Sequence, residues 1–114
     1  MNNYDTEACT EQLKRRRDAI MMTLDHVQKE QRVVGDNREW IDQAAYESRV
    51  DLLDNLTDWY LKEAARIDDA LNRIAEGKYG ICLACHGRIE ARRLEASPEA
   101  AFCARCQSMR EALG

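Results

Sequence analysis

Proline occurs once in the 114 residues, as Pro98, and the only glycine before residue 77 is Gly35. Residues 1–76 therefore hold almost none of the residues that stop helices, which argues against a turn-rich mixed fold for that stretch. Long apolar runs are also missing: none approaches the ~18 to 20 residues needed to span a bilayer. The first 17 residues show no basic start followed by an apolar stretch, so a secretory signal is not expected. Nor is there an excess of positive charge. The chain has 17 Lys+Arg against 21 Asp+Glu, a formal net charge of -4, which disfavours non-specific coating of nucleic acid. No membrane partner is expected, and a cytoplasmic location is. There the five cysteines stay reduced, available for metal or redox chemistry and not for a disulfide framework.

What is present divides the chain in two, within a length that suits one ordinary domain. Residues 1–76 hold 11 basic and 17 acidic side chains, whereas residues 77–114 hold 6 and 4, together with four of the five cysteines. This reads as a helical segment, 1–76, joined to a small cysteine-rich segment, 77–114. In the first, Leu13, Ile20, Val27 and Val34 recur every seven residues, with Met21 and Leu24 assigned to the same stripe. A second series follows, Tyr46, Leu53, Tyr60, Ile67 and Ile74, supported by Leu56, Ala64, Ala70 and Leu71. Such stripes flanked by charge are the apolar seams of paired helices. Between them, Gly35 suits a helix C-terminus and Asp36 or Asn37 an N-cap. So short a connection folds the helices back antiparallel, with a turn at 35–44 and arms of about 40 to 50 Å. One uninterrupted helix in an intermolecular coiled coil is the competing arrangement.

The second segment reads Cys82-Leu-Ala-Cys85, 17 intervening residues, then Cys103-Ala-Arg-Cys106. Two CxxC pairs at this spacing form a tetrathiolate zinc pattern, because two thiolates from each tight turn reach one tetrahedral ion at about 2.3 Å. Gly80 and Gly87 flank the first turn and help it form. A closed four-sulfur shell leaves no position for water, so one structural Zn2+ and no enzymatic activity are expected. Binding energy on the order of 10 kcal/mol would fold a segment too short to fold unaided. Cys82-Leu-Ala-Cys85-His86 also matches the pattern of c-type haem attachment, but that leaves Cys103 and Cys106 unexplained. A redox CxxC lacks its surrounding strand–helix–strand unit. Cys9 reads as a leftover thiol on the first helix.

The run Gly77-Lys78-Tyr79-Gly80-Ile81-Cys82, followed by Arg92-Arg93-Leu94-Glu95-Ala96 before Pro98 and the second CxxC, resembles the DksA/TraR family of C4 zinc-finger proteins. The resemblance covers nearly the whole chain. It implies a mainly all-α fold: a long antiparallel helical hairpin, a small C4 zinc finger and a short C-terminal helix. It also implies a transcriptional regulator that binds bacterial RNA polymerase by inserting the hairpin into the secondary channel. Members that act through the coiled coil carry Asp-x-x-Asp-x-Ala at the turn. This chain has Glu39-Trp-Ile-Asp42-Gln-Ala44, keeping Asp42 and Ala44 and replacing the first Asp by Glu39. On the residues alone, Glu39 and Asp42 also suit a first helical turn whatever the partner, through the macrodipole. Trp40, apolar and expected to be exposed, favours contact with a partner.

Departures bear on ligands. Many members respond to the alarmone guanosine tetraphosphate through basic residues around the zinc finger. Where they have Arg before the proline and Lys after the last cysteine, this chain has Ser97 and Gln107. Arg66 and Arg93 remain as candidate anion contacts, so alarmone dependence is expected to be weak or absent. The run Lys14-Arg15-Arg16-Arg17 reads as a solvated helix face beside Glu11 and Asp18. Direct sequence-specific DNA binding is not expected. A zinc-ribbon nucleic-acid binder and a CxxC dithiol redox protein are the alternatives.

Overall fold

The computed structural model describes residues 5–113, so the outermost ends of the segments 1–76 and 77–114 lie outside the described residues. In order, α1 runs over Thr6–Asp36, a 3-10 turn over Arg38–Trp40, α2 over Gln43–Ala75, α3 over Ala91–Ala96 and α4 over Ala104–Leu113. The mainly all-α fold that the resemblance implies is the fold observed. No helix is long and apolar enough to cross a membrane among the described residues. The chain forms two compact units. One comprises residues 17–65; the other comprises the described residues up to 16 together with 66–113.

The 17–65 unit is an antiparallel helical hairpin. Val27, Val34 and Leu53 are buried in its seam, with Ile41, Tyr46 and Val50 packed against them. Val27, Val34, Tyr46 and Leu53 are heptad positions of the sequence, whereas Ile41 and Val50 lie outside those series, and each buried aliphatic side chain contributes about 1.5 to 3 kcal/mol. Arg49 pairs with Glu30 at 2.8 Å and Gln31 donates to Asp54 at 3.2 Å, so the two helices also meet at their polar flanks. Met21 departs from its assignment: it is 54 % exposed. Leu24 alone takes the intermediate seam position, because at 3.6 residues per turn Met21 is rotated off the stripe.

The connection differs from the sequence expectation as well. Helix α1 runs through Gly35 to Asp36, and Gly35 is not among the glycines with positive φ, which are Gly77 and Gly80. Asn37 closes the helix instead. Its backbone N–H and its side-chain amide both donate to the Val33 carbonyl, at 3.1 and 2.7 Å. The cap of α2 is Asp42, not Asp36 or Asn37: its carboxylate accepts from the Ala45 N–H at 3.3 Å. Side chains of Asp at this position satisfy one of the unpaired donors of the first turn.

In the other unit, Asp5 caps α1 by accepting from the Ala8 N–H at 3.0 Å. Leu13, Ile67, Ala70, Tyr79, Ile89, Leu94 and Pro98 are buried there. Helix α2 stops by geometry that only a few residues tolerate. Gly77 has φ +73, its N–H donates to Ile74 and that of Lys78 donates to Arg73, at 3.1 and 2.8 Å. This pair of bonds is the Schellman closure, and the left-handed residue in it is a glycine because a Cβ is penalised there. The basic run is engaged by acids of the chain. Arg15 meets Glu11 at 3.6 Å, and Arg16 donates to Glu99, a side chain 83 residues away and only 13 % exposed.

Candidate metal centre, acidic tip and arginine-lined cavity

The first CxxC is a knuckle made by backbone hydrogen bonds. Gly80, at φ +83, turns the chain into an isolated bridge between Ile81 and Arg88. Within it the Cys82 N–H donates to Gly87 and the Ile89 N–H to Gly80, both at 2.8 Å. The His86 N–H reaches back to the Cys82 carbonyl at 2.9 Å, and His86 itself adopts φ 60, the left-handed turn that brings Cys85 round towards Cys82. The second CxxC is built differently. Cys103 precedes α4 and Cys106 lies in its first turn. Glu90 accepts from the Ala104 N–H at 3.4 Å, tying that helix start to the loop before α3.

The sulfur atoms of Cys82, Cys85, Cys103 and Cys106 all lie within 4.8 Å of one another, and those of Cys85 and Cys103 are 3.9 Å apart. A tetrahedron with four arms of about 2.3 Å has edges of about 3.8 Å, so four thiolates at this separation fit one zinc ion. Charge at the site is unevenly shared. Burial pushes the Cys82 thiol up, but backbone N–H groups of Cys85, Cys103 and Ala84 aimed at its sulfur outweigh this and bring it down to about 6. Cys106 goes the other way, to about 12, through its hydrogen bond with Cys103, then burial, then its crowding by Cys82 and Cys85. Three or four thiolates so close together repel strongly without a cation, and a divalent ion at their centre removes that conflict. Cys9 is half-buried and is not one of these four cysteines.

The family model described as the prokaryotic dksA/traR C4-type zinc finger matches residues 77–112, the segment that carries all four ligands. The chain belongs to the DksA/TraR family. An uncharacterized protein of Aquifex aeolicus is 32 % identical to it over 110 residues, covering 93 % of this chain and 76 % of that protein. The RNA polymerase-binding transcription factor DksA of Escherichia coli K12 is 32 % identical over 95 residues; the match spans 83 % of this chain but only 61 % of that relative's length. Among solved structures, transcription factor DksA2 of Pseudomonas aeruginosa superposes with a TM-score of 0.74 at 27 % identity, covering 93 % of this chain and 82 % of that one. The cofactor of this DksA/TraR chain is accordingly a single zinc ion, which the four clustered cysteines could hold.

The tip residues of the DksA/TraR pattern are all exposed. Glu39 sits in the 3-10 turn, Asp42 at the cap of α2 and Ala44 in its first turn. Arg38, the nearest cation in sequence, lies over the Tyr46 ring at 5.1 Å. Asp42 thus has a structural task whether or not a partner is present, while Glu39 forms no ion pair among the described residues.

Arg66 and Arg93, the candidate anion contacts, line one cavity of about 490 Å³ in the metal-containing unit. Sequence reasoning missed that Arg73 and Arg110 line it too, opposed by Asp69, Glu99 and Glu111. Several of these cations are already committed. Arg93 Nε donates to the Phe102 carbonyl at 2.9 Å, Arg73 reaches the Ala100 carbonyl at 3.5 Å, and Arg110 lies 4.2 Å over the Phe102 ring. Burial lowers the Arg73 guanidinium from its ordinary value, with Asp69 opposing that shift. Ser97 and Gln107 complete the lining as neutral groups.

Proposed function

We propose that this chain is a transcriptional regulator that binds bacterial RNA polymerase, entering its secondary channel with the hairpin so that the acidic tip approaches the catalytic centre without doing chemistry. The observation that carries this reading is the match along 93 % of the chain to a DksA-type fold, together with 32 % identity to a relative named for binding RNA polymerase. The tip supports it physically. Glu39, Asp42 and Ala44 are solvent-facing on an antiparallel hairpin, with carboxylates able to accept charge-assisted hydrogen bonds and a small residue that permits close approach. Zinc is structural in this reading, since four thiolates fill its shell. Binding of this kind acts by favouring one polymerase conformation over another, so promoters with short-lived open complexes are inhibited most.

The test is a pull-down with polymerase core enzyme, repeated with another secondary-channel occupant as competitor. Capture that the competitor abolishes is the expected result. No capture, or capture indifferent to the competitor, overturns the reading. Alarmone dependence is proposed to be weak: three of the four arginines in the cavity are already engaged by the chain, Arg93 and Arg73 with backbone carbonyls and Arg110 with the Phe102 ring. The anion-contact role of Arg66 and Arg93 belongs to the same proposal. The nucleic-acid alternative gains no support from the finger, where a near-balance of charge leaves few phosphates that can be neutralised.

A further inference from the structure

Trp40 is 84 % exposed, more so than Met21, Met22, Val33, Leu52, Trp59 or Leu61 on the two long helices. It is nonetheless held on ordered backbone: its N–H donates to the Asn37 carbonyl at 2.9 Å, and the following N–H of Ile41 donates to Arg38 at 3.4 Å. The other aromatic rings near it in sequence are occupied. Tyr46 is half-buried beneath Arg38, and Trp59 packs edge-on against Tyr60 at 5.0 Å. No ring or cation sits against Trp40 among the described residues. Glu39 precedes it and Asp42 follows two residues on, both exposed.

That neighbourhood restricts what can cover the indole. A purely apolar pocket would strip water from nearby carboxylates without replacing the lost hydrogen bonds, which is unfavourable. A guanidinium meets both needs at once. Its planar face stacks on the indole while its N–H fork pairs with a carboxylate, which an ammonium does less well. The hairpin already shows the first half of this chemistry internally, in Arg38 over Tyr46. Ile41, next in sequence, lines a cavity of about 390 Å³ with Val33, Val34 and Ala45, bordered by Glu30 and Arg49, which offers apolar ground for the stem of such a side chain.

We propose that Trp40 is the anchor of the tip and takes an arginine side chain of the partner, stacked on the indole and paired with Glu39 or Asp42. This rests on the polymerase reading above and adds to it the chemistry of the contact.

The test uses full-length zinc-loaded protein labelled with 5-fluorotryptophan, with Trp59→Phe to assign the Trp40 fluorine resonance, titrated with polymerase core enzyme. The Trp40 resonance is expected to shift and lose its solvent isotope effect. Trp40→Ala should weaken binding about tenfold, the scale of an interface anchor. Trp40→Phe should recover part of that loss because it keeps a π face, whereas Trp40→Leu should not. Binding by Trp40→Ala at wild-type affinity, with the Trp40 resonance still solvent-exposed in the complex, overturns the inference and leaves the polymerase reading standing. Full recovery by Trp40→Leu replaces cation stacking with simple apolar burial and also overturns it. Wild-type protein that fails to bind core enzyme at all removes both readings.

Discussion

The Tyr79 hydroxyl donates a 2.8 Å hydrogen bond to the carbonyl of Pro98, across 19 residues of chain. Three residues before the first metal ligand, Tyr79 is thereby fastened to the loop that precedes the second pair, and both residues are buried. Removing the hydroxyl leaves the Pro98 carbonyl in a buried place without its donor, a loss of about 1 to 3 kcal/mol. Tyr79→Phe should therefore lower the melting temperature and speed transfer of zinc to a chelator; unchanged values in both would show the bond to be idle. Burial, then the Cys9 thiol, raises the Tyr79 phenol above its ordinary value of 10.0. The unfolded phenol ionises first as pH rises, so stability should fall above about pH 10, and Tyr79→Phe should blunt that fall.

Metal affinity should climb with pH. In the metal-free site Cys106 is pushed up to about 12 and holds its proton at neutral pH, whereas Cys82 is brought down to about 6. Zinc must displace at least the Cys106 proton, so each unit of pH between 6 and 8 should tighten binding at least about tenfold. Competition with a chromophoric chelator across that range checks it. A flat profile would mean that zinc does not bind through the thiolate of Cys106.

The seam of the hairpin was legible in the sequence because a seven-residue recurrence of Leu, Ile and Val has one physical reading, and Val27, Val34 and Leu53 are buried where it places them. The four cysteines were legible for a similar reason: paired CxxC spacing encodes a tetrahedron. Capping was harder. Asp36, Asn37 and Asp42 are all competent caps, and which one closes a helix depends on where the 3-10 turn falls, something fixed by packing of Ile41 and Tyr46 against the seam. The clustering of Arg73 and Arg110 with Arg66 and Arg93 was not visible, since α2, α3 and α4 bring them together from positions up to 44 residues apart. Nothing local announces such a meeting, nor that of Arg16 with Glu99.

Asp42 caps α2 and, in the proposed mechanism, also brings charge to the tip, and two substitutions divide these roles. Asn caps a helix as well as Asp does, whereas Ala loses about 1 kcal/mol at this position. Asp42→Asn should keep the melting temperature and, by the proposed tip mechanism, lose inhibition of transcription in vitro from a promoter with a short-lived open complex. Asp42→Ala should lose both. Wild-type inhibition by Asp42→Asn would remove the charge from the mechanism.

The cavity offers a gain-of-function experiment. Ser97→Arg combined with Gln107→Lys adds two cations to a lining of near-balanced charge. Calorimetric titration with guanosine tetraphosphate should show weak or no binding by the wild type and at least about tenfold tighter binding by the double variant, on the scale of 1.5 to 3 kcal/mol for each new hydrogen bond to a charged group. Equal affinities in the two proteins would place the anion elsewhere.

Helix α4 spans ten residues, Ala104–Leu113, and its first turn contains Cys106. Peptides that short do not sustain helicity in water on their own. The ion is therefore the nucleus from which the C-terminal coil is wound, and any oxidant or chelator that strips it would hand the last dozen residues to proteases. Metal starvation would then be written into the abundance of this protein as well as its activity.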